Sequence, residues 1–257
     1  MNSRIPQLVA IRVRNQFMDW SGAWWFTVTL VANHAIGPLI GLVVWSAVMP
    51  SGQAPVSYYV ALVAVQLLTA SFENHTFSES VYDGRVSHDL LKPQPVIIGP
   101  VGENIAIRVW MGIFGLPLTV VTALLVGASY RWSEALLAVP ALIGAAVLRF
   151  LWTWLLALAA FWTERVHAIV AFGNILIFLL GGTAAPIALL PEPLRSIALA
   201  LPFHAMLGLP AEIATGAVQG SDAGSAILLQ LGWGVAFAGV AAVVWRRGVR
   251  RYAVIGA

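Results

Sequence analysis

The chain has 257 residues, of which 60% are hydrophobic and 10% are charged, and its formal net charge is +3. A soluble domain carries about 25% charged residues and could not hide this much apolar area. The composition therefore predicts an integral membrane protein and excludes a soluble catalytic domain. The basic residues are scattered between apolar runs without an interleaved aromatic patch, which predicts no nucleic-acid partner.

The first twenty residues predict a helix that lies in the inner membrane interface. Ser3 provides an N-cap, and Pro6 suits the first turn of a helix. Basic residues among bulky apolar ones are typical of interfacial helices. The apolar residues are Leu8, Ile11, Phe17 and Trp20, and the charged ones are Arg12, Arg14 and Asp19. The alternative is a frayed cytoplasmic tail.

Six apolar stretches follow, and each is about as long as a helix that crosses the hydrocarbon, which takes about 20 residues. They lie at about 22–48, 56–73, 104–128, 135–162, 168–185 and 224–245. No internal repeat and no low-complexity linker divides them, so the prediction is one transmembrane domain over residues 1–257. The predicted fold class is an all-α integral membrane protein with six transmembrane helices.

The basic residues predict the orientation of these spans. With both termini in the cytoplasm, eleven basic residues fall on the inner side and two on the outer side. The inner ones are Arg4, Arg12, Arg14, Arg85, Lys92, Arg108, Arg165, Arg246, Arg247, Arg250 and Arg251, and the outer ones are Arg131 and Arg195. Multi-pass proteins carry such an excess on their cytoplasmic side. The sequence therefore predicts a multi-pass protein of a bacterial inner (plasma) membrane with both termini in the cytoplasm.

The longest inner connection runs from Glu73 to about Gly102. Between residues 73 and 95, charged residues alternate with apolar ones, which favours a short surface helix that breaks at Gly84 and stops before Pro93. The charged residues are Glu79, Asp83, Arg85, Asp89 and Lys92, and the apolar ones are Val81, Tyr82, Val86, Leu90 and Leu91. The segment is interpreted as a docking element for a cytoplasmic partner. The alternative is a solvated loop.

The outer segment between the fifth and sixth spans is apolar but interrupted by five prolines, at positions 186, 191, 193, 202 and 210. This spacing forbids one continuous spanning helix. It predicts two short re-entrant helices near 191–201 and 203–215, covered by other parts of the protein. The apolar character of the segment favours a hydrophobic or lipid-like substrate.

Three polar positions fall inside the predicted spans. Asn33 and His34 lie near the middle of the first span, where hydrogen bonds between helices are favoured over a substrate path. Arg149 lies inside the fourth span, where a charge costs about 2.5–3.5 kcal/mol on insertion scales. Two interpretations of Arg149 stay open. Its side chain either extends to the inner headgroups, or it forms an ion pair or lines a pathway.

The sequence contains no signature of an enzyme or a cofactor site. The only lysine, Lys92, is not part of a G-x-x-x-x-G-K-[ST] motif, so the chain is not expected to bind ATP itself. The five histidines fall on different segments and predict no metal site. No catalytic residue, cofactor or metal is therefore predicted. All acidic residues lie near span ends or outside the spans, which argues against an ion-coupled carrier.

Three short motifs resemble those of ABC-2-type transporter permeases. The first is Gly84-x-Val86-x-x-x-Leu90-Leu91-Lys92-Pro93, which is similar to the family segment G-x-[LV]-x-x-x-L-L-[KR]-P, although the third position is more often Leu or Ile. The second is Phe161-Trp162 at the end of the fourth span. The third is Leu201-Pro202-Phe203, followed by Pro210-Ala211 and Gly216. In topology the resemblance covers most of the chain.

The resemblance implies the permease subunit of an ATP-driven exporter. It implies a dimer, formed with a second copy or with a sister permease, and a separate ATP-binding subunit that holds ATP and Mg. That subunit would dock on the inner segment through Glu79, Asp83, Gly84, Arg85, Val86, Asp89, Leu90, Leu91, Lys92 and Pro93. Two alternatives stay open: a membrane scaffold that carries no solute, and an ion-coupled secondary transporter.

Overall fold

The computed structural model of the protein describes residues 5–22, 24–50, 55–130 and 132–255. Within these ranges the regular structure is helical and contains no strand. Several residues used for the sequence-based predictions lie outside the described ranges: the N-cap Ser3, the basic residues Arg4 and Arg131, and most of the outer turn between the first two spans, residues 51–54.

Twelve α-helices follow one another in the described ranges. They are α1 (Ile5–Ser21), α2 (Trp24–Val48), α3 (Val56–Leu68), α4 (Glu73–Tyr82), α5 (Arg85–Leu90), α6 (Ile98–Val126), α7 (Trp132–Leu158), α8 (Val166–Leu180), α9 (Glu192–Ala200), α10 (Pro202–Met206), α11 (Gly208–Ala214) and α12 (Gly220–Ile255). Short 3-10 turns follow α7 at Ala159–Phe161 and precede α9 at Ile187–Leu189.

Four of the described helices are long and apolar enough to cross a membrane: α2, α6, α7 and α12. The predicted second and fifth spans correspond to α3 and α8, which have only 13 and 15 residues. At 1.5 Å per residue they are about 20 and 22 Å long, less than the about 30 Å of hydrocarbon. The six-span prediction therefore exceeds the four long helices, and its second and fifth spans end early, at Leu68 and Leu180.

The backbone shows where both helices end. The Thr69 hydroxyl donates to Val65 O at 2.7 Å, and the backbone then leaves the helix over residues 69–72. After α8 comes a pair of glycines, and Gly182 adopts φ +90°, a conformation that favours glycine and stops a helix.

α3 lies at the centre of the molecule and packs against α2, α6 and α11. Tyr59 and Leu67, near its two ends, are both fully buried. Glycines on the neighbouring helices permit this close packing. A β-carbon on Gly41 of α2 would lie 2.3 Å from the Tyr59 ring, and one on Gly115 of α6 would lie 2.7 Å from Leu67.

α1 lies along the first half of α6. The ring of Phe17 is 5.0 Å from that of Trp110, with an edge-to-face orientation, and the ring of Trp20 is 5.8 Å away from it. No side chain of α1 is fully buried, and Ile11 is 48% exposed. The helix is therefore held by one face and presents apolar side chains on another, as an interfacial helix does.

The segment after α8 contains three short helices, α9, α10 and α11, where the sequence predicted two. The predicted helix at 203–215 is interrupted at Leu207, whose φ of −136° and ψ of −59° are not helical. α10 and α11 are buried along almost their whole length. Their irregular backbone is thus covered by protein, as an apolar environment requires.

Candidate coupling site

α4 and α5 are two short helices joined at Gly84. Gly84 has φ +72°, a left-handed conformation that favours glycine, and its carbonyl accepts a hydrogen bond from Ser87 N at 3.1 Å. α5 ends at Leu90, before Pro93. The structure thus has the helical break at the position that the sequence predicts.

One face of α4 and α5 packs into a cluster of aromatic side chains. Its members are Phe77, Trp154, Phe161, Trp245 and Tyr252, and we call it the aromatic cluster. The Phe77 ring lies 4.5 Å from that of Trp154 and 6.0 Å from that of Trp245. Val86 is fully buried in the same core. It therefore cannot contribute to an exposed docking surface as the sequence suggested. Instead it belongs to a buried apolar cluster that also contains residues of α7 and α12.

The opposite face of α4 and α5 is open. Leu91 is 84% exposed and Leu90 is 37% exposed. We call this side the exposed face; it comprises Glu79, Asp83, Arg85, Asp89, Leu90, Leu91, Lys92 and Pro93. Two adjacent exposed leucines among charges have the composition of an apolar centre with a polar rim, which is typical of a protein-binding surface.

Two ion pairs lie on the exposed face. Arg85 Nη2 is 3.1 Å from Asp83 Oδ2, and Lys92 Nζ is 2.6 Å from Asp89 Oδ1. Exposed pairs of this kind contribute about 0–1 kcal/mol, because water screens them. These four charges can therefore exchange their present partners for groups of another protein at little cost.

Two tyrosines connect α4 and α5 to distant parts of the chain. Tyr82 Oη donates to Thr163 O, just after α7, at 3.0 Å, and Ser87 Oγ lies 3.1 Å from Tyr252 Oη at the end of α12. Burial raises the pKa of the Tyr82 phenol, which therefore stays protonated and remains a donor at neutral pH.

A network of buried polar side chains lies where α3 is joined to α4. We call it the polar junction; it comprises Thr69, Ser71, Glu73, Asn104, Arg108, Arg149 and Thr153. Glu73, the first residue of α4, is 2% exposed. Its Oε1 accepts from Asn104 Nδ2 of α6, and its Oε2 accepts from Thr153 Oγ1 of α7 at 2.6 Å. One carboxylate thereby links α4 to two long helices.

Arg108 fastens the non-helical connection itself. Its Nε donates to Ala70 O at 3.1 Å, and its Nη2 donates to Ser71 Oγ at 3.0 Å and to Ala146 O of α7 at 2.6 Å. Buried backbone carbonyls outside a helix need such donors. The guanidinium of α6 therefore holds both the turn before α4 and the neighbouring α7.

Arg149 is only 8% exposed, and its Nη1 donates to Thr69 Oγ1 at 2.9 Å. The side chain thus ends inside the protein, at the polar junction. This placement favours a structural or pathway role over the alternative in which the guanidinium extends to the headgroups.

The two other intramembrane candidates, His34 and Asn33, lie in different surroundings. His34 turns towards the junction, with its ring 5.1 Å from that of Phe72, and its Nδ1 pairs with Leu30 O of its own helix at 3.1 Å. Asn33 lies on an exposed face of α2. The structure therefore brings His34 near Arg149 and places Asn33 away from the site.

Sequence analysis selected Arg149 but missed Glu73, Asn104, Arg108 and Thr153. The sequence does contain a pattern that points to these residues. Asn104 and Arg108 are four residues apart, as are Arg149 and Thr153, so each pair shares one face of its helix. Two polar pairs at helical spacing inside apolar helices indicate a buried contact, although they do not identify what each contacts.

Within the described ranges, no group of three or more His, Asp or Glu side chains could hold a metal ion. The geometry suits mechanical transmission: an exposed face on one side of α4 and α5, and a bonded connection to α3, α6 and α7 behind it. The family model described as ABC-2 family transporter protein matches residues 51–256. The chain belongs to this ABC-2 family.

The match confirms the resemblance drawn from the three motifs. It includes α3 to α12, and with them the exposed face and the polar junction. Members of the ABC-2 family are transport subunits in the membrane and are not themselves catalytic. The protein is accordingly a transmembrane permease. A comparison with curated proteins gives no match.

Proposed function

We propose that this ABC-2 permease is the membrane subunit of an ATP-driven exporter and that a separate ATP-binding subunit docks on the exposed face of α4 and α5. The permease forms the translocation pathway as a dimer. It crosses the inner membrane six times, with α3 and α8 completing the four long spans, and both termini lie in the cytoplasm. The observation that carries the proposal is that α4 and α5 have one exposed face and one face that packs into the aromatic cluster.

The exposed face supports docking. Its central leucines are accessible, and its weakly held ion pairs can be exchanged across an interface. The chain carries no phosphate-binding loop. Work done on a solute must therefore come from a protein that binds ATP, through a contact on the cytoplasmic side.

The polar junction supports transmission of that work. A displacement of α4 acts on Glu73, which is bonded to α6 and α7, and on the connection that Arg108 holds. Because packed and bonded elements move as units, a push on the exposed face is passed to the long helices.

Two other functions are less well supported. An ion-coupled carrier requires a carboxylate inside its spans. Glu73 and Glu212 are buried, but both lie in short helices at opposite ends of the molecule. A scaffold without transport would have no use for a bonded connection between a docking surface and the long helices.

The test of this proposal is the double substitution Leu90→Ala and Leu91→Ala, followed by pull-down of the ATP-binding subunit and transport in proteoliposomes. Removing central apolar contacts of an interface costs about 2 kcal/mol or more, which is about a 30-fold loss of affinity. We expect docking to weaken by that factor, or ATP hydrolysis to continue without transport.

The matched control is Leu124→Ala with Leu125→Ala, an adjacent pair at the far end of α6 that is 78% and 81% exposed. This pair should leave docking unchanged. Glu79→Ala should change only the salt sensitivity of docking, since a rim charge contributes little. Unchanged docking and transport in the Leu90 and Leu91 variant would show that the exposed face is not the coupling surface.

A further inference from the structure

A second site lies at the end of the molecule opposite to the exposed face. A partly open cavity of about 740 Å³ is lined by α9, α10, α11 and the first turns of α12, with Tyr58 of α3 on its wall. We call it the outer cavity. Asp222 lines it, whereas Tyr252 contacts Ser87 of α5. These two residues of α12 are about 45 Å apart at 1.5 Å per residue.

The walls of the outer cavity are mostly apolar. They include Ile187, Leu199, Leu209, Ala226 and Leu229. A cavity of this size and character holds a molecule of about the size of a drug, with a few polar groups to orient it. The apolar lining therefore favours a lipophilic ligand. The charged groups of the lining determine whether a cation or an anion is preferred.

One buried polar pair faces this space. His204 Nε2 lies 2.9 Å from Glu212 Oε2, and both side chains are almost fully buried. Gly208 makes room for the imidazole, because a β-carbon there would lie 2.6 Å from His204 Cδ2. The Glu212 carbonyl accepts from Ala217 N at 2.9 Å, which fixes the end of α11. The carboxylate is therefore held in place beside the cavity.

The balance of charge favours a cation. Glu212 and Asp222 are the acidic groups of the lining, and Arg195 is its basic group. Arg195 Nη1 already pairs with Glu192 Oε1, outside the lining, at 3.2 Å. Counted without the imidazole of His204, which pairs with Glu212, the lining carries two carboxylates and one guanidinium, and a buried carboxylate in an apolar wall attracts a positive charge strongly.

We propose that the outer cavity binds lipophilic cations, with Glu212 as the main charged contact and the leucine-rich wall as the apolar one. Asp222 attracts the cation at the rim. The inference rests on the proposed exporter function, because it assigns a substrate class to the permease. Binding itself requires neither the ATP-binding subunit nor ATP.

The experiment compares two lipophilic ions of the same shape and opposite charge, tetraphenylphosphonium and tetraphenylborate. Equilibrium binding of each is measured to the purified full chain in phosphatidylcholine nanodiscs, with empty nanodiscs subtracted. We expect saturable binding of the cation and none of the anion. Glu212→Gln should weaken cation binding by about 10-fold or more, because it removes the buried charge and keeps the shape of the side chain.

A second variant tests the cavity without changing its charge. Ala226→Trp fills the space from α12 and should abolish cation binding. Its matched control is Leu228→Trp, two residues away on the same helix, 70% exposed and not part of the lining. This control should bind as the unchanged chain does. Retention of a monodisperse elution peak shows that each variant is folded.

Equal binding of the two ions, or cation binding that survives Ala226→Trp, would overturn the proposal. The exporter function and the substrate class can be contradicted independently of each other. If cation binding is found but no ATP-binding subunit docks, the exporter function is wrong and the site remains. If docking is normal but the cation does not bind, the substrate class is wrong and the exporter function remains.

Discussion

The two ends of the permease, which the proposed topology assigns to the inner and outer sides of the membrane, each contain a buried carboxylate, and the two are held in different ways. Glu73, at the inner end, accepts hydrogen bonds from side chains of two long helices, α6 and α7. Glu212, at the outer end, pairs with His204 of the neighbouring short helix and lines a cavity. Both carboxylates border a cavity, but the first accepts a hydrogen bond at each oxygen, whereas the second pairs with His204 through one oxygen.

The difference indicates what each end can do. With a donor from a different long helix on each oxygen, Glu73 fixes α4 to α6 and α7. Glu212 pairs with His204 through Oε2 and can add a partner from the cavity at its other oxygen. In the proposed mechanism, buried charge transmits force at the inner end and binds the ligand at the outer end.

The sharpest way to break this comparison is to show that the two ends do not lie on opposite sides of the membrane. The chain contains no cysteine, so single substitutions can be labelled selectively. Glu192→Cys should react with an impermeant reagent in intact cells. Arg85→Cys and Arg250→Cys should react only after permeabilisation, because basic residues favour the cytoplasmic side. Labelling of position 85 from outside would reverse the assignment.

The next largest expected effect is on the free energy of unfolding. Glu73→Ala leaves Asn104 and Thr153 without their acceptor and Arg108 without its nearest carboxylate. Removing one partner of a buried charged network costs about 3–5 kcal/mol. We expect a large fall in the thermal unfolding midpoint of the purified protein in detergent.

Two variants serve as controls for that measurement. Glu79→Ala, on the exposed face of the same helix, should stay within about 0.5 kcal/mol of the unchanged protein. Glu212→Ala should destabilise less than Glu73→Ala, because Glu212 has one side-chain partner and Glu73 has two. A larger loss for Glu212→Ala would reverse the comparison between the two ends.

The smallest predicted effect concerns the packing behind α4. A β-carbon on Gly248 would lie 2.3 Å from Cδ2 of Phe161, a ring of the aromatic cluster. Gly248→Ala should therefore destabilise the protein by about 1–3 kcal/mol, because the ring has no room to move. Gly239, on the same helix, has open space around it, so Gly239→Ala should stabilise by about 0.5–1 kcal/mol. Thermal unfolding of both variants checks the pair, and equal midpoints would contradict it.

Local patterns predicted much of the fold. Composition gave the membrane class, apolar runs located the long helices, and Gly84 and the prolines marked where helices break. These features depend on residues close together in the chain. The early ends of α3 and α8 were missed because hydropathy continues past them, whereas the backbone leaves the helix after Leu68 and turns at Gly182.

The candidate site was predicted less completely. The exposed charges of α4 and α5 followed from their alternation with apolar residues, but this alternation could not show that Val86 faces inward. The polar junction joins residues about 30 to 80 positions apart, and so does not appear in any local pattern. His204 and Glu212 are eight residues apart, a spacing without meaning until α10 and α11 bend back at Leu207.

The length of α12 has one further consequence. This single helix of 36 residues reaches from the outer cavity, at Asp222, to the tyrosine that contacts α5, at Tyr252. If a helix of that length tilts as a rigid body, its two ends move in opposite directions. A tilt of about 5° around its middle displaces each end by about 2 Å, since each arm is over 20 Å long. Such a displacement would break the hydrogen bond between Ser87 and Tyr252 and would change the width of the outer cavity in the same motion.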